Sequence, residues 1–155
     1  MKSYAYRILF IVMALFSQFN NTEAQSKGST ALSKINLYID FGYHAAGQAS
    51  LNLETKVYSS KKITWYGRGG IGAASVLLGE GGPGILGAVT MLTGKNNGHF
   101  ELNGGAFFGK DSFEKNVFVL PLIDIGYRYQ KPKGGFIFKA KAGILGIGIG
   151  LGYAF

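Results

Sequence analysis

Gly146-Ile147-Gly148-Ile149-Gly150-Leu151-Gly152-Tyr153-Ala154-Phe155, the last ten residues of the sequence, alternate a small residue with a large apolar one at every step. On a helix the five large residues would point all round the axis. On a strand they share one face, and the other face is almost bare. The glycines would leave room on that bare face for long side chains from opposite strands.

The same period of two runs upstream. Ile35, Leu37, Ile39, Phe41 and Tyr43 alternate with Lys34, Asn36, Tyr38, Asp40, Gly42 and His44. Ala49, Leu51, Leu53, Thr55 and Val57 alternate with Gln48, Ser50, Asn52, Glu54 and Lys56. Further strands are predicted over Lys62–Ala74, Gly84–Thr93, Gly98–Gly109, Asn116–Gln130, Gly135–Ile144 and Gly146–Phe155. The breaks carry turn residues: Tyr58-Ser59-Ser60-Lys61, Gly79-Glu80-Gly81-Gly82-Pro83, Lys95-Asn96-Asn97-Gly98, Lys110-Asp111-Ser112 and Lys131-Pro132-Lys133-Gly134. Strands of about 11 residues suit a bilayer crossing, which takes ~9–11 tilted residues. The fourth segment is apolar on both faces, and no helix-length amphipathic segment follows residue 30.

Charge placement separates an inside-out barrel from a soluble sandwich. In the sixth segment Val117, Val119, Pro121, Ile123, Ile125, Tyr127 and Tyr129 share one face, and Asp124 and Arg128 lie on the other. In the seventh, Phe136, Phe138, Ala140 and Ala142 oppose Lys139 and Lys141. Charges occur in every predicted strand except the fourth and the last, too many for a dry core. The expected fold is therefore all-β: an eight-stranded antiparallel up-and-down transmembrane β-barrel preceded by a cleaved signal peptide. An even strand count with both termini on one side gives closure, which lipid demands because it leaves no backbone edge unpaired.

That topology sorts residues by height and face. Trp65, Phe100, Tyr127, Tyr129, Phe136, Phe138, Tyr153 and Phe155 would form an outward aromatic girdle at the end holding the termini. Phe41, Tyr43 and Phe108 would sit near the opposite rim. The lumen would hold Asp40, Glu54, Lys56, Arg68, Glu101, Asp124, Arg128, Lys139 and Lys141. Eight strands enclose a space only just filled by side chains, so a paired ionic core that plugs the barrel is expected ahead of an open path.

The first residues read differently. Lys2 and Arg7 precede an apolar run from Ile8 to Phe16, then a polar stretch from Ser17 to Glu23 and the small-residue pattern Thr22-Glu23-Ala24. This is the layout of a signal peptide, and the apolar run is too short for a helical span. The expected organisation is a signal peptide over 1–24, a short linker over 25–33 and a barrel domain over 34–155. Cleavage would take 24 of the 155 residues, leaving 131, and would remove Lys2, Arg7 and Glu23, lowering the net charge from +8 to +7. The remaining basic residues are scattered, unlike a nucleic-acid-binding arm. With no cysteine, disulfides, thiolate chemistry, cysteine-based zinc sites and a lipoprotein anchor are excluded.

The signal-like start, eight short strands and the terminal Tyr153-Ala154-Phe155 together resemble the small outer-membrane β-barrel, porin-like families. The resemblance implies residence in the outer membrane of a Gram-negative-type cell. It also implies that the barrel-assembly machinery reads the last strand, with Phe155 as the terminal aromatic and Tyr153 as the one before it. Expected surroundings are outer-membrane lipid and lipopolysaccharide, with no nucleic acid and a monomeric state. The short outer connections depart from barrels that bind through long loops.

Little of the sequence points to catalysis. Acyl transfer needs a nucleophile and a base within reach, and the histidines are His44, beside Asp40 and Ser50 on one predicted face, and His99, two residues from Glu101 at the other end. Such separation disfavours a histidine-based metal site. Gly67-Arg68-Gly69-Gly70-Ile71-Gly72 fits G-x-G-x-x-G but lacks the following helix that a dinucleotide site requires, and it reads as a flat or sharply bent strand. No cofactor, metal or catalytic residue is expected. The expected role is structural, adhesive or interaction-mediating. The alternatives are a narrow channel for ions or small solutes and a lipid-modifying enzyme.

Overall fold

A computed structural model describes residues 32–43, 46–60, 62–76, 79, 81–94, 96–113 and 116–155. The segment expected as a signal peptide, 1–24, residues 25–31 of the expected linker and His44 lie outside the described residues. The strands are β1 Ile35–Tyr43, β2 Ala46–Ser59, β3 Ile63–Val76, β4 Gly81–Thr93, β5 Gly98–Lys110, β6 Val117–Gln130, β7 Gly135–Gly143 and β8 Gly146–Ala154. Each pairs antiparallel with the next, and β1 pairs with β8, so the sheet closes into an eight-stranded up-and-down barrel. No helix occurs among the described residues.

Alternation decides which residues face in. On β1 the burial pattern strictly alternates from Asn36 to Phe41: Asn36, Tyr38 and Asp40 are buried, and Leu37, Ile39 and Phe41 are exposed. The same inversion holds on β6, where Ile125 is 51 % exposed and Asp124 is 2 % exposed. An outward isoleucine beside an inward aspartate is the reverse of the usual burial preference of these residues.

Several strand ends differ from the sequence reading. β2 continues through Tyr58 and Ser59 because the register shifts between Lys56 and Tyr58. This β-bulge turns both Val57 and Tyr58 outward, at 74 % and 59 % exposure. Tyr58 thereby pairs with Trp65 and joins the girdle instead of the turn. β4 starts at Gly81, so Gly81-Gly82-Pro83 is strand rather than turn. Its first three residues pair with β3, while the ladder to β5 begins at Gly84, and a proline is tolerated where one side of the strand is unpaired. Pro121 occupies a similar place: β6 pairs with β5 along its length, but with β7 only from Asp124. Gly67 to Gly72 form a regular part of β3 and none has a positive φ. The β6–β7 turn does use that freedom, at Gly134 (φ 88°) and Gly135 (φ 107°).

The wall is uneven. β7, β8 and β1 have nine residues each, and β2 to β6 have 13 or 14. β6 runs on at the end opposite the termini, where Val117 to Ile123 lie beyond its ladder to β7, and β2 runs on at the end holding them, where Tyr58 and Ser59 pair with β3 beyond the ladder to β1.

Candidate functional site

The candidate site is the barrel interior, which is stacked in three layers. At the end holding the termini, Leu32 packs with Tyr66 and Leu92. The Tyr66 hydroxyl donates to the Ser33 carbonyl at 2.9 Å, and Lys56 Nζ donates to the Leu32 carbonyl at 2.6 Å. Residues 32 and 33, expected as the end of a linker, are buried and close this mouth. An apolar side chain beside the rim gains by filling it.

The middle layer is ionic. Asp40, Glu54, Glu101 and Asp124 share it with Arg68, Arg128, Lys139 and Lys141, all buried. Four negative groups thus face four positive ones, a balance that a buried set requires. Lys56 stands apart, half-buried at the mouth. Arg128 is the central cation. Its Nη1 and Nη2 donate to Glu54 Oε2 and Oε1 at 2.7 and 2.9 Å, and its Nε donates to Glu101 Oε2 at 2.5 Å. Glu54 also accepts from the Tyr38 hydroxyl at 2.5 Å and from Asn36 Nδ2 at 3.2 Å. Thr90 Oγ1 lies 3.1 Å from Glu54 Oε1 and 2.5 Å from Asn103 Oδ1.

Asp40 forms a second centre. Its Oδ2 accepts from Arg68 Nη2 at 2.7 Å and Lys141 Nζ at 3.1 Å, and Lys139 Nζ stands 3.7 Å away. Lys139 Nζ links the two centres. It lies 2.8 Å from Glu101 Oε1 in a coulombic pair without an aligned hydrogen bond, and 3.9 Å from the centroid of the Tyr38 ring. The guanidinium carbons of Arg68 and Arg128 also approach this ring, each at 5.5 Å. Tyr38 therefore presents its π-face to three cations and its hydroxyl to an anion.

β8 makes room for this crowd. A Cβ on Gly150 would overlap Asp40 Oδ1 and press on the Lys139 stem, and one on Gly152 would overlap Tyr38 Cβ. The sequence reading reserved this space for opposite strands. The residues that use it belong to β1 and β7, the strands paired with β8, because long side chains lean over their neighbours at this narrow bore.

The third layer is apolar. Ala74, Leu86, Phe107, Phe118, Leu122 and Leu145 cluster at the far end, with Phe107 and Phe118 stacked at a centroid distance of 6.0 Å. Leu145, from the β7–β8 turn, completes this plug. Its sequence signals are the two-faced hydrophobicity of β4 and the apolar Phe118, Leu120 and Leu122 on the inward parity of β6. Tyr38, Asn36, Asn52, Thr90, Asn103 and Gln130 also belong to the interior, and strand parity alone would have placed them there.

The girdle residues Trp65, Phe100, Tyr127, Phe136, Tyr153 and Phe155 are exposed, and Tyr129 and Phe138, register partners on β6 and β7, are half-buried. His99 is buried at the end of β5 nearest the termini. Its Nδ1 lies 3.0 Å from the Thr93 carbonyl oxygen and its Nε2 lies 3.1 Å from that of Gln130. Both ring nitrogens thus face backbone and none faces Glu101. No cluster of three or more metal-ligating residues occurs among the described residues. Comparison with known proteins found no matching family model, no matching curated protein and no matching solved structure.

Proposed function

We propose that this chain is an integral outer-membrane β-barrel with a sealed lumen and a structural, adhesive or interaction-mediating role. One observation carries the reading. Glu54, Glu101 and Arg128 are buried inside a closed barrel, while Ile39, Ile125 and Leu151 face outward at 44 %, 51 % and 46 % exposure. In water this outer surface is an aggregation liability. Among acyl chains it is the favourable arrangement, and closure leaves no edge to desolvate.

The remaining parts of the reading rest on the sequence: export by segment 1–24, insertion guided by Tyr153 and Phe155, surroundings of outer-membrane lipid and lipopolysaccharide, and residence in a Gram-negative-type cell. Apolar layers at both mouths support a sealed lumen. A narrow channel is the second reading, favoured by the ionic middle layer, in which Arg68 Nη1 and Asp40 Oδ1 have no hydrogen-bond partner among the described residues. For enzymatic lipid modification, His99 faces only carbonyls, and His44 lies outside the described residues.

Two measurements test the proposal. The chain lacks cysteine, so Ile125→Cys accepts a single spin label. Greater accessibility to oxygen than to a water-soluble nickel complex is expected, and the reverse order refutes membrane insertion. In planar bilayers the sealed barrel gives no stepwise conductance. Steps that shrink in Arg68→Gln would establish the channel instead.

A further inference from the structure

The cations that do not enter the lumen are unevenly placed. Lys34, Lys62, Lys131 and Lys133 are exposed at the end of the barrel that holds both termini. Lys34 precedes β1, Lys62 precedes β3, and Lys131 and Lys133 flank the β6–β7 turn, so together they are spread around the rim. Among the described residues no exposed Asp or Glu lies at this end. The opposite end carries both signs, with exposed Lys110 beside Asp111.

The same end carries the aromatic girdle. Lys62 is three residues from Trp65, Lys131 two from Tyr129 and Lys133 three from Phe136. Two to three residues correspond to ~7–10 Å along a strand, about the depth of a headgroup layer beyond the acyl boundary. A lysine stem can lie along the rim with its ammonium at phosphate level. Backbone bonds fix two of these positions: Gly94 N–H donates to the Lys62 carbonyl at 3.0 Å, and Gly134 N–H to that of Lys131 at 3.1 Å.

We infer that this lysine crown binds anionic phospholipid headgroups in the leaflet where the termini emerge, and selects them over zwitterionic lipid. The inference rests on the membrane reading above and adds the lipid class, the leaflet and the residues. Charge sign favours a phosphate-bearing lipid without a compensating cation, and the adjoining girdle places the lysines against a lipid surface rather than a soluble anion.

Trp65 is the single tryptophan of the chain and faces outward three residues from Lys62, so it reports the lipid at this rim. The full chain is refolded into phosphatidylcholine vesicles containing graded fractions of either phosphatidylglycerol or phosphatidylcholine brominated near the headgroup. Trp65 quenching then gives a relative association constant for each lipid. The expected preference for the anionic lipid is about fivefold at low salt, falling toward parity in 1 M salt, where the screening length is only ~3 Å. Lys62→Gln lowers the preference at Trp65, Lys62→Arg keeps it, and the paired change Lys131→Gln with Lys133→Gln, several strands away, leaves it unaltered at this reporter. Equal quenching by both lipids in the wild-type chain, or a preference that survives Lys62→Gln undiminished, overturns the crown and leaves the membrane reading standing. Absence of quenching by either lipid overturns both.

Discussion

Glu54 on β2 and Arg128 on β6, 74 positions apart in the chain, join in a two-pronged ion pair with bonds of 2.7 and 2.9 Å. The strands are not neighbours, so the pair braces opposite walls of the barrel, which the backbone ladders join only indirectly. Arg128 also donates to Glu101, at 2.5 Å, and one guanidinium thus bridges two buried carboxylates.

Removing that cation should leave Glu54 uncompensated and Glu101 with Lys139 alone. Arg128→Met is expected to lose about 3–5 kcal/mol, the usual penalty for breaking a buried pair from one side. Combining Arg128→Met with Glu54→Gln, which leaves three charges of each sign, should recover a large part of the loss. Urea titration of the folded fraction, read from the faster migration of unboiled barrel on a detergent gel, gives both values. A single change costing under ~1 kcal/mol would contradict a braced lumen.

Tyr38 acts as donor to Glu54 and as π-face to Lys139. Tyr38→Phe keeps the ring and deletes only the hydroxyl, so a loss of about 1.5–3 kcal/mol is expected, as for a hydrogen bond to a charged group. Tyr38→Leu also removes the π-face and should cost more. The same urea titration separates the two contributions.

Gly150 and Gly87 offer a paired test of bore and surface. Gly150→Ala drives a methyl into Asp40 Oδ1 and the Lys139 stem, and about 1–3 kcal/mol of destabilisation is expected from overpacking. Gly87→Ala meets nothing within 4 Å on the outer face. It should be neutral, or stabilising by up to ~1 kcal/mol through the unfolded chain. Equal effects at the two sites would mean that the inner wall is looser than the Gly150 geometry requires.

The apolar plug at the far end can be opened by truncation. Phe107 is fully buried against Phe118, so Phe107→Ala should cost about 3–5 kcal/mol. With the ionic layer and the Leu32 mouth intact, the variant should still give no stepwise conductance. Conductance appearing in Phe107→Ala alone would identify this plug as the only seal.

Period-two alternation in Ile35–Tyr43 and Gly146–Phe155 was enough to assign strands and to choose their outer faces, because side-chain direction along a strand depends only on local backbone geometry. The charged residues of β6 and β7 were legible in the same way. The bulge at Val57 was not, since an extra residue is recognised only once a partner strand sets the register. Tyr58 was therefore misplaced in the turn. Leu32 likewise looked like linker, because its burial depends on a mouth assembled from Tyr66 and Leu92.

By itself, then, the sequence determined strand number, inward and outward faces, and the inward parity of the buried charges, while Lys56, expected among them, ends half-buried at the mouth. Which charge meets which was decided only by the tertiary structure. Glu54–Arg128, Arg68–Asp40 and Lys139–Glu101 join strands that are distant in the chain, and closure of the sheet sets the stagger that brings them level. The apolar plugs have the same origin: whether an inward Leu or Phe meets an ion or another hydrocarbon depends on its height in the closed barrel, which no single strand encodes.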